Sequence, residues 1–147
     1  MKINVKIKRL DENAVIPAYG SDFAAGADLY YAGKESVVIE PHKTCLVHTG
    51  VAMEIPEGLV GLVFARSGLA SKRSLAPANK VGVIDSDYRG EVMVALHNHS
   101  DIPQTIEVGE RVAQIAFMPY FAADFEEVDE LGETTRGTGG FGSTGTK

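Results

Sequence analysis

Residues 82–90, Gly-Val-Ile-Asp-Ser-Asp-Tyr-Arg-Gly, hold the sharpest chemical pattern in the chain. Two apolar residues, Val83 and Ile84, lead directly into Asp85. A carboxylate at the end of a buried strand is poorly solvated and can act as a base toward water. Tyr88, three residues on, offers a flat ring beside it. The same stretch is rich in turn formers, so a plain β-turn competes with the catalytic reading. A second pattern fills residues 136–147. Arg136 can fork onto phosphate oxygens. The glycines and hydroxyls around Thr138, Ser143 and Thr144 can turn successive backbone N–H groups toward an anion. Phe141 can stack on a nucleobase. Phosphate and base together suggest a nucleotide, and a flexible glycine-rich tail suggests a lid. Composition alone favours a frayed tail instead.

Other constellations are weaker. Arg66-Ser67-Gly68 closes an apolar run and could gather an N–H group, a hydroxyl and a guanidinium around an anion; a surface arginine and a helix cap explain it equally well. Asp28 lies in a strand-like context, where it could approach a metal's water shell or hydrogen-bond a loop backbone. Gln114 could donate an amide hydrogen to phosphate, while Arg111 could serve in an ion pair. His97 and His99 have the i, i+2 spacing of some strand-borne metal sites, without an evident third ligand. Cys45, the single cysteine, reads as a small buried hydrophobe and excludes an intrachain disulfide. No GxxxxGK[ST] loop, Ser/His/Asp set or CxxC pair is present.

The elements that must position these residues follow a period of two. Ile3, Val5 and Ile7 share one face of an N-terminal segment; Val47, Thr49, Val51, Met53 and Ile55 share a face of another. Residues 36–39, 59–65, 91–98 and 112–118 are further strand candidates, separated by Pro- and Gly-containing turns. Only residues 69–75 look weakly helical. Many short strands predict an all-β sandwich, jelly roll or barrel. At 147 residues the chain is expected to form one domain. Composition shifts near 131–133, which predicts a β core over 1–131 and an arm over 132–147. The acidic stretch 124–130 reads as an exposed or edge segment. A net charge of −6 argues against general binding of nucleic acid or anionic membrane, though not against a small cationic pocket. The absence of a signal-like or membrane-length apolar run predicts a cytoplasmic protein.

Five segments, in order, closely resemble the five motifs of the homotrimeric dUTPases, the deoxyuridine triphosphate nucleotidohydrolases. They are AGADLYYA at 25–32, RSGLA at 66–70, NKVGVIDSDYRGE at 79–91, GERVAQI at 109–115 and RGTGGFGSTG at 136–145. Thr138 stands where serine is common and keeps the hydroxyl. The segment 71–78 follows no usable pattern. The resemblance implies a jelly-roll-like distorted β-barrel with a flexible glycine-rich C-terminal arm, assembled as a homotrimer with sites at subunit interfaces. It implies Mg²⁺-dependent hydrolysis of dUTP to dUMP and pyrophosphate, which keeps uracil out of DNA and supplies dUMP for thymidylate synthesis. By that resemblance Asp85 activates the water that attacks the α-phosphorus, and Tyr88 lies against the deoxyribose. Asn79 and a hairpin backbone at Gly82, Val83 and Ile84 read the uracil edge. Arg66, Ser67, Gly68 and Gln114 bind phosphates, and Asp28 touches the metal's water shell. From a neighbouring chain, Arg136, Ser143 and Thr144 hold the γ-phosphate, and Phe141 and Gly142 close over the base. The related dCTP deaminases use a glutamate on the strand after the hairpin, where this chain has Ala95. A non-catalytic nucleotide-binding protein is a third reading.

Overall fold

The computed structural model describes residues 2–140. The described residues form an all-β, antiparallel, jelly-roll-like fold with a single short helix. A four-stranded sheet has the order β1 (Lys6–Arg9), β5 (Thr44–Glu54), β9 (Glu91–Asn98), β7 (Leu75–Pro77). A five-stranded sheet has the order β2 (Ala18–Tyr19), β3 (Ala27–Tyr30), β11 (Arg111–Pro119), β6 (Leu59–Phe64), β8 (Gly82–Ile84). Strands β4 (Val37–Ile39) and β10 (Gln104–Ile106) pair with each other. Helix α1 (Ser67–Arg73) follows β6 directly.

Alternation builds the core. In β9, Val92, Val94, Leu96 and Asn98 point inward and their neighbours do not. The three apolar ones join Leu29, Val63, Ile106 and Ile115 in one cluster. Asn98 is tolerated there because its amide donates to the Ile39 and Ile102 carbonyls, at 2.9 and 2.8 Å.

The expected alternation fails in two places. In β5 the pairing with β9 slips between His48 and Ala52, and residues 49–53 are all buried. Gly50 makes this bulge possible: its φ is 67°, and a Cβ there would sit 2.8 Å from the Ala14 Cβ. At the N-terminus only Lys6–Arg9 pairs, and Ile3 is exposed, so the period-two face of residues 3–7 is only partly used. Residues 120–138 carry no strand or helix and are exposed, including the acidic stretch.

Candidate active site

Strand β3 holds Asp28 between Ala18 of β2 and Gln114 of β11. Its carboxylate is buried, and a buried charge persists only with partners. Arg66 Nε donates to Asp28 Oδ1 at 2.7 Å, and Arg111 Nη1 to Oδ2 at 3.2 Å. Neither role expected for Asp28 included these guanidinium groups; Arg111 does form an ion pair. A bulge explains how Arg111 reaches it. Arg111 pairs with Tyr30 and Ala113 with Leu29, so Val112 is an inserted residue. The extra residue puts Arg111 on the face shared by Asp28 and Gln114; regular alternation would have sent it to the opposite face.

Gln114 belongs to the same cluster. Its Nε2 donates to the Ala65 carbonyl at 2.8 Å, which fixes the amide against the segment entering α1. Gly26 lies close beside it: a Cβ there would come within 2.6 Å of the Gln114 Oε1 and would push the amide from this position. Arg66 is the N-cap residue of α1, with extended backbone and no side-chain cap bond. A Cβ at Gly68 would meet nothing within 4 Å, so the backbone there faces open space.

Asn79, Gly82, Val83, Ile84, Asp85 and Tyr88 form a second group. Strand β8 pairs with β6 and β9 with β5, so the expected hairpin is two strands of different sheets joined by a turn. The turn carries a Tyr88 N–H to Asp85 carbonyl bond of 3.2 Å. The Tyr88 hydroxyl donates to the Glu91 carbonyl at 3.0 Å, and its ring lies so close to Gly90 that a Cβ there would fall 2.4 Å from the hydroxyl. The premise that Asp85 ends a buried strand is corrected. β8 is the edge of its sheet, Val83 is 61% exposed, and Asp85 itself is exposed. A groove of about 880 Å³ opens beside Asp85, lined by Val60, Leu62, Val83 and Tyr120 among others.

The two groups do not meet within one chain. Gln114 pairs with Phe64, and Asp85 continues the β8 register to the level of Val60, four residues along and two strands across. At about 3.3 Å per residue and 4.8 Å per strand, that is roughly 16 Å. His97 and His99 have ring centroids 4.3 Å apart, and the His97 Nδ1 is 2.9 Å from the Thr44 hydroxyl. Among the described residues no three His, Cys, Asp or Glu side chains are grouped to hold a metal ion. Arg136 Nε donates to the Gly139 carbonyl at 2.8 Å in an exposed turn. Phe141, Gly142, Ser143 and Thr144 lie outside the described residues.

A family model described as dUTPase matches residues 12–145. The chain belongs to the dUTPase family. The deoxyuridine 5'-triphosphate nucleotidohydrolase of Desulfitobacterium hafniense is 48% identical over 146 residues, covering 99% of this chain and 97% of that protein. Its counterpart from Picosynechococcus is 45% identical over 144 residues, covering 98% of this chain and all of that one. Among solved structures, the dUTPase of Staphylococcus bacteriophage 80alpha with dUPNHPP matches with a TM-score of 0.90 at 31% identity, covering 99% of this chain and 100% of that one. All five motifs lie wholly within the dUTPase match.

One residue that the motifs did not single out is tied to the site. Arg73, at the end of α1, donates to Gln104, to the Thr105 carbonyl and to Glu110. The basic position alone gave no signal, because its acceptors lie more than thirty residues away.

Proposed function

We infer that this chain is a dUTP diphosphatase, which hydrolyses dUTP to dUMP and pyrophosphate. The observation that carries the reading is the near-complete match to relatives of that activity, spanning every motif. In this reading Asp85 takes a proton from the water that attacks the α-phosphorus. Tyr88 is held by Glu91 and Gly90 so that its ring packs on the deoxyribose. Asn79 and the backbone of 82–84 read the uracil edge; among the described residues β8 pairs with β6 alone, which leaves its other edge open to a ligand. A mismatched base would leave those polar groups unpaired. Arg66, Ser67, Gly68 and Gln114 hold phosphate oxygens, with Asp28 fixing the Arg66 guanidinium.

The roughly 16 Å between Asp85 and Gln114 supports a site shared between chains. Asp85, Tyr88 and the uracil-reading backbone then come from one protomer, and the phosphate group from its neighbour. The apolar wall of Leu62 and Val83, together with exposed Phe121 and Phe125, supplies surface for such an assembly. A homotrimer with the chain closed into a distorted barrel, and residues 132–147 as a lid carrying Arg136 and Phe141 onto a neighbouring site, completes the proposal.

Magnesium fits this donor set as an outer-shell guest. A carboxylate has about four acceptor positions, and Asp28 gives two to arginines, so it retains room for a metal-bound water. When bound, Mg²⁺ would neutralise triphosphate charge and favour displacement at phosphorus. Clearing uracil nucleotide before DNA synthesis, and supplying dUMP for thymidylate synthesis, follow from the reaction. The test is pyrophosphate release from dUTP compared with UTP, dCTP and dTTP. Marked preference for dUTP is expected; ammonia release from dCTP, or binding without turnover, would overturn the assignment.

A further inference from the structure

We propose that Arg73 is a positioning residue for the phosphate-binding segment, acting through helix α1. The proposal rests on Arg66, Ser67 and Gly68 contacting phosphate. Helix α1 has seven residues, too few to be stable alone. Only Leu69 of the helix is buried, its first turn has no acidic residue, and its N-cap makes no side-chain bond. Its apolar anchorage is therefore a single side chain in the first turn.

Arg73 supplies the other anchor, at the opposite end from Ser67. All three guanidinium nitrogens are used: Nε donates to Gln104 Oε1 at 3.1 Å, Nη2 to the Thr105 carbonyl and Nη1 to Glu110 Oε1. The ion pair is shielded, with side-chain exposures of 29% and 24%. Glu110 is itself held, because its Oε2 accepts the Glu107 N–H at 3.0 Å. Its backbone receives the Tyr31 N–H at 2.8 Å, and the next residue is Arg111, which grips Asp28. A closed circuit results: Arg66 to Asp28, Asp28 to Arg111, then Glu110 to Arg73 and back along α1. Pinning both ends of the helix fixes the direction in which residues 66–68 face. Lysine replaces this fork only in part, since three separate acceptors, one for each guanidinium nitrogen, suit a guanidinium better than a single ammonium.

The test compares Arg73→Gln, Arg73→Lys and the milder Glu110→Gln with the wild-type protein. Binding of a non-hydrolysable imido analogue of dUTP should weaken about tenfold in Arg73→Gln, while dUMP affinity stays within about twofold. Arg73→Lys should recover only part of the loss, and Glu110→Gln should move the same readouts less. Amide exchange at Ala70, whose N–H bonds the Arg66 carbonyl at 3.0 Å, should quicken. Equal weakening of analogue and dUMP, or unchanged binding and exchange, would overturn the proposal. Should Ser67→Ala bind the analogue like wild type, the phosphate reading fails. The hold of Arg73 on α1 is then judged on exchange alone, and an unchanged Ala70 rate overturns it.

Discussion

Replacing Asp28 with asparagine keeps the side-chain shape and removes the charge that two arginines share. The Asp28 side chain is 12% exposed, Arg66 24% and Arg111 50%. Breaking a buried pair by removing one partner costs about 3–5 kcal/mol, mainly because the charge left behind stays desolvated. Here the charges left behind sit on arginines that retain access to water, Arg111 most of all. The expected loss is therefore lower, about 2–3 kcal/mol. That is roughly a 30- to 150-fold shift in the folding equilibrium. With a urea m-value of about 2 kcal/mol/M, the midpoint should fall by about 1–1.5 M.

Circular dichroism at fixed protein concentration is the suitable probe. The chain has no tryptophan, and the proposed subunit association would otherwise move the midpoint. A double-mutant cycle with Arg66→Met and Arg111→Met apportions the loss. The Arg66 coupling should be the larger, since that bond is shorter, at 2.7 against 3.2 Å, and better shielded. A loss below about 0.5 kcal/mol, the range of an ordinary surface substitution, would refute the reasoning. So would a larger coupling to Arg111.

Asp85→Asn should leave dUMP binding intact and lower kcat by roughly 10²- to 10⁴-fold in a pyrophosphate assay; near-normal turnover removes Asp85 from the role of base. Deleting residues 136–147 should leave the urea midpoint unchanged and abolish most activity, as the proposed lid role requires; a fully active truncated protein contradicts that role. Gly50→Ala should destabilise by at least about 2 kcal/mol, since a left-handed backbone and a Cβ collision act together; a midpoint equal to wild type would exclude strain at the bulge. Burial, then the charges of His97, Lys80 and His42, hold the His99 imidazole below its ordinary value. The folded chain thus binds this proton less readily than the unfolded one. The stability it contributes is fully present above about pH 6.5 and is lost as pH falls from there toward the folded value. His97→Gln should raise the His99 titration midpoint by NMR, and an unmoved midpoint would remove His97 as a cause.

Longer strands with one face buried were legible, while the three-residue strands β7 and β10 were not among the candidates. The span 91–98 emerges with its predicted ends, because Val92, Val94 and Leu96 keep strict alternation. The bulges at Gly50 and Val112 were not legible. A bulge is set by register against a distant partner, and local composition carries little trace of it. The same limit hid the Asp28 clamp, since Arg66 and Arg111 lie 38 and 83 residues from Asp28. Motif residues could be picked out singly, as charged or glycine positions out of place in a plain strand pattern. Their mutual arrangement depends on that inserted residue in β11, which turns Arg111 toward the carboxylate.

The exposure of Asp85 carries a further consequence. A base toward water gains from a site where bulk solvent is excluded, and the single chain gives Asp85 no such shelter. Val83, Leu62 and Val60 form an apolar wall at its side, in a groove that Glu54, Glu57, Asp87 and Arg89 also line. An apolar wall beside an exposed carboxylate costs free energy in an isolated chain and becomes useful once a second surface covers it. The proposed phosphate cluster is the reverse case. Arg66 and Arg111 are already bonded to Asp28, and Gln114 to the Ala65 carbonyl, within one chain, so that half is organised before any partner arrives. The proposed site therefore joins a rigid phosphate half to a base-bearing half whose environment the partner completes. On this account the desolvation that the sequence pattern suggested for Asp85 belongs to the assembly, because an edge strand with one neighbour cannot provide it.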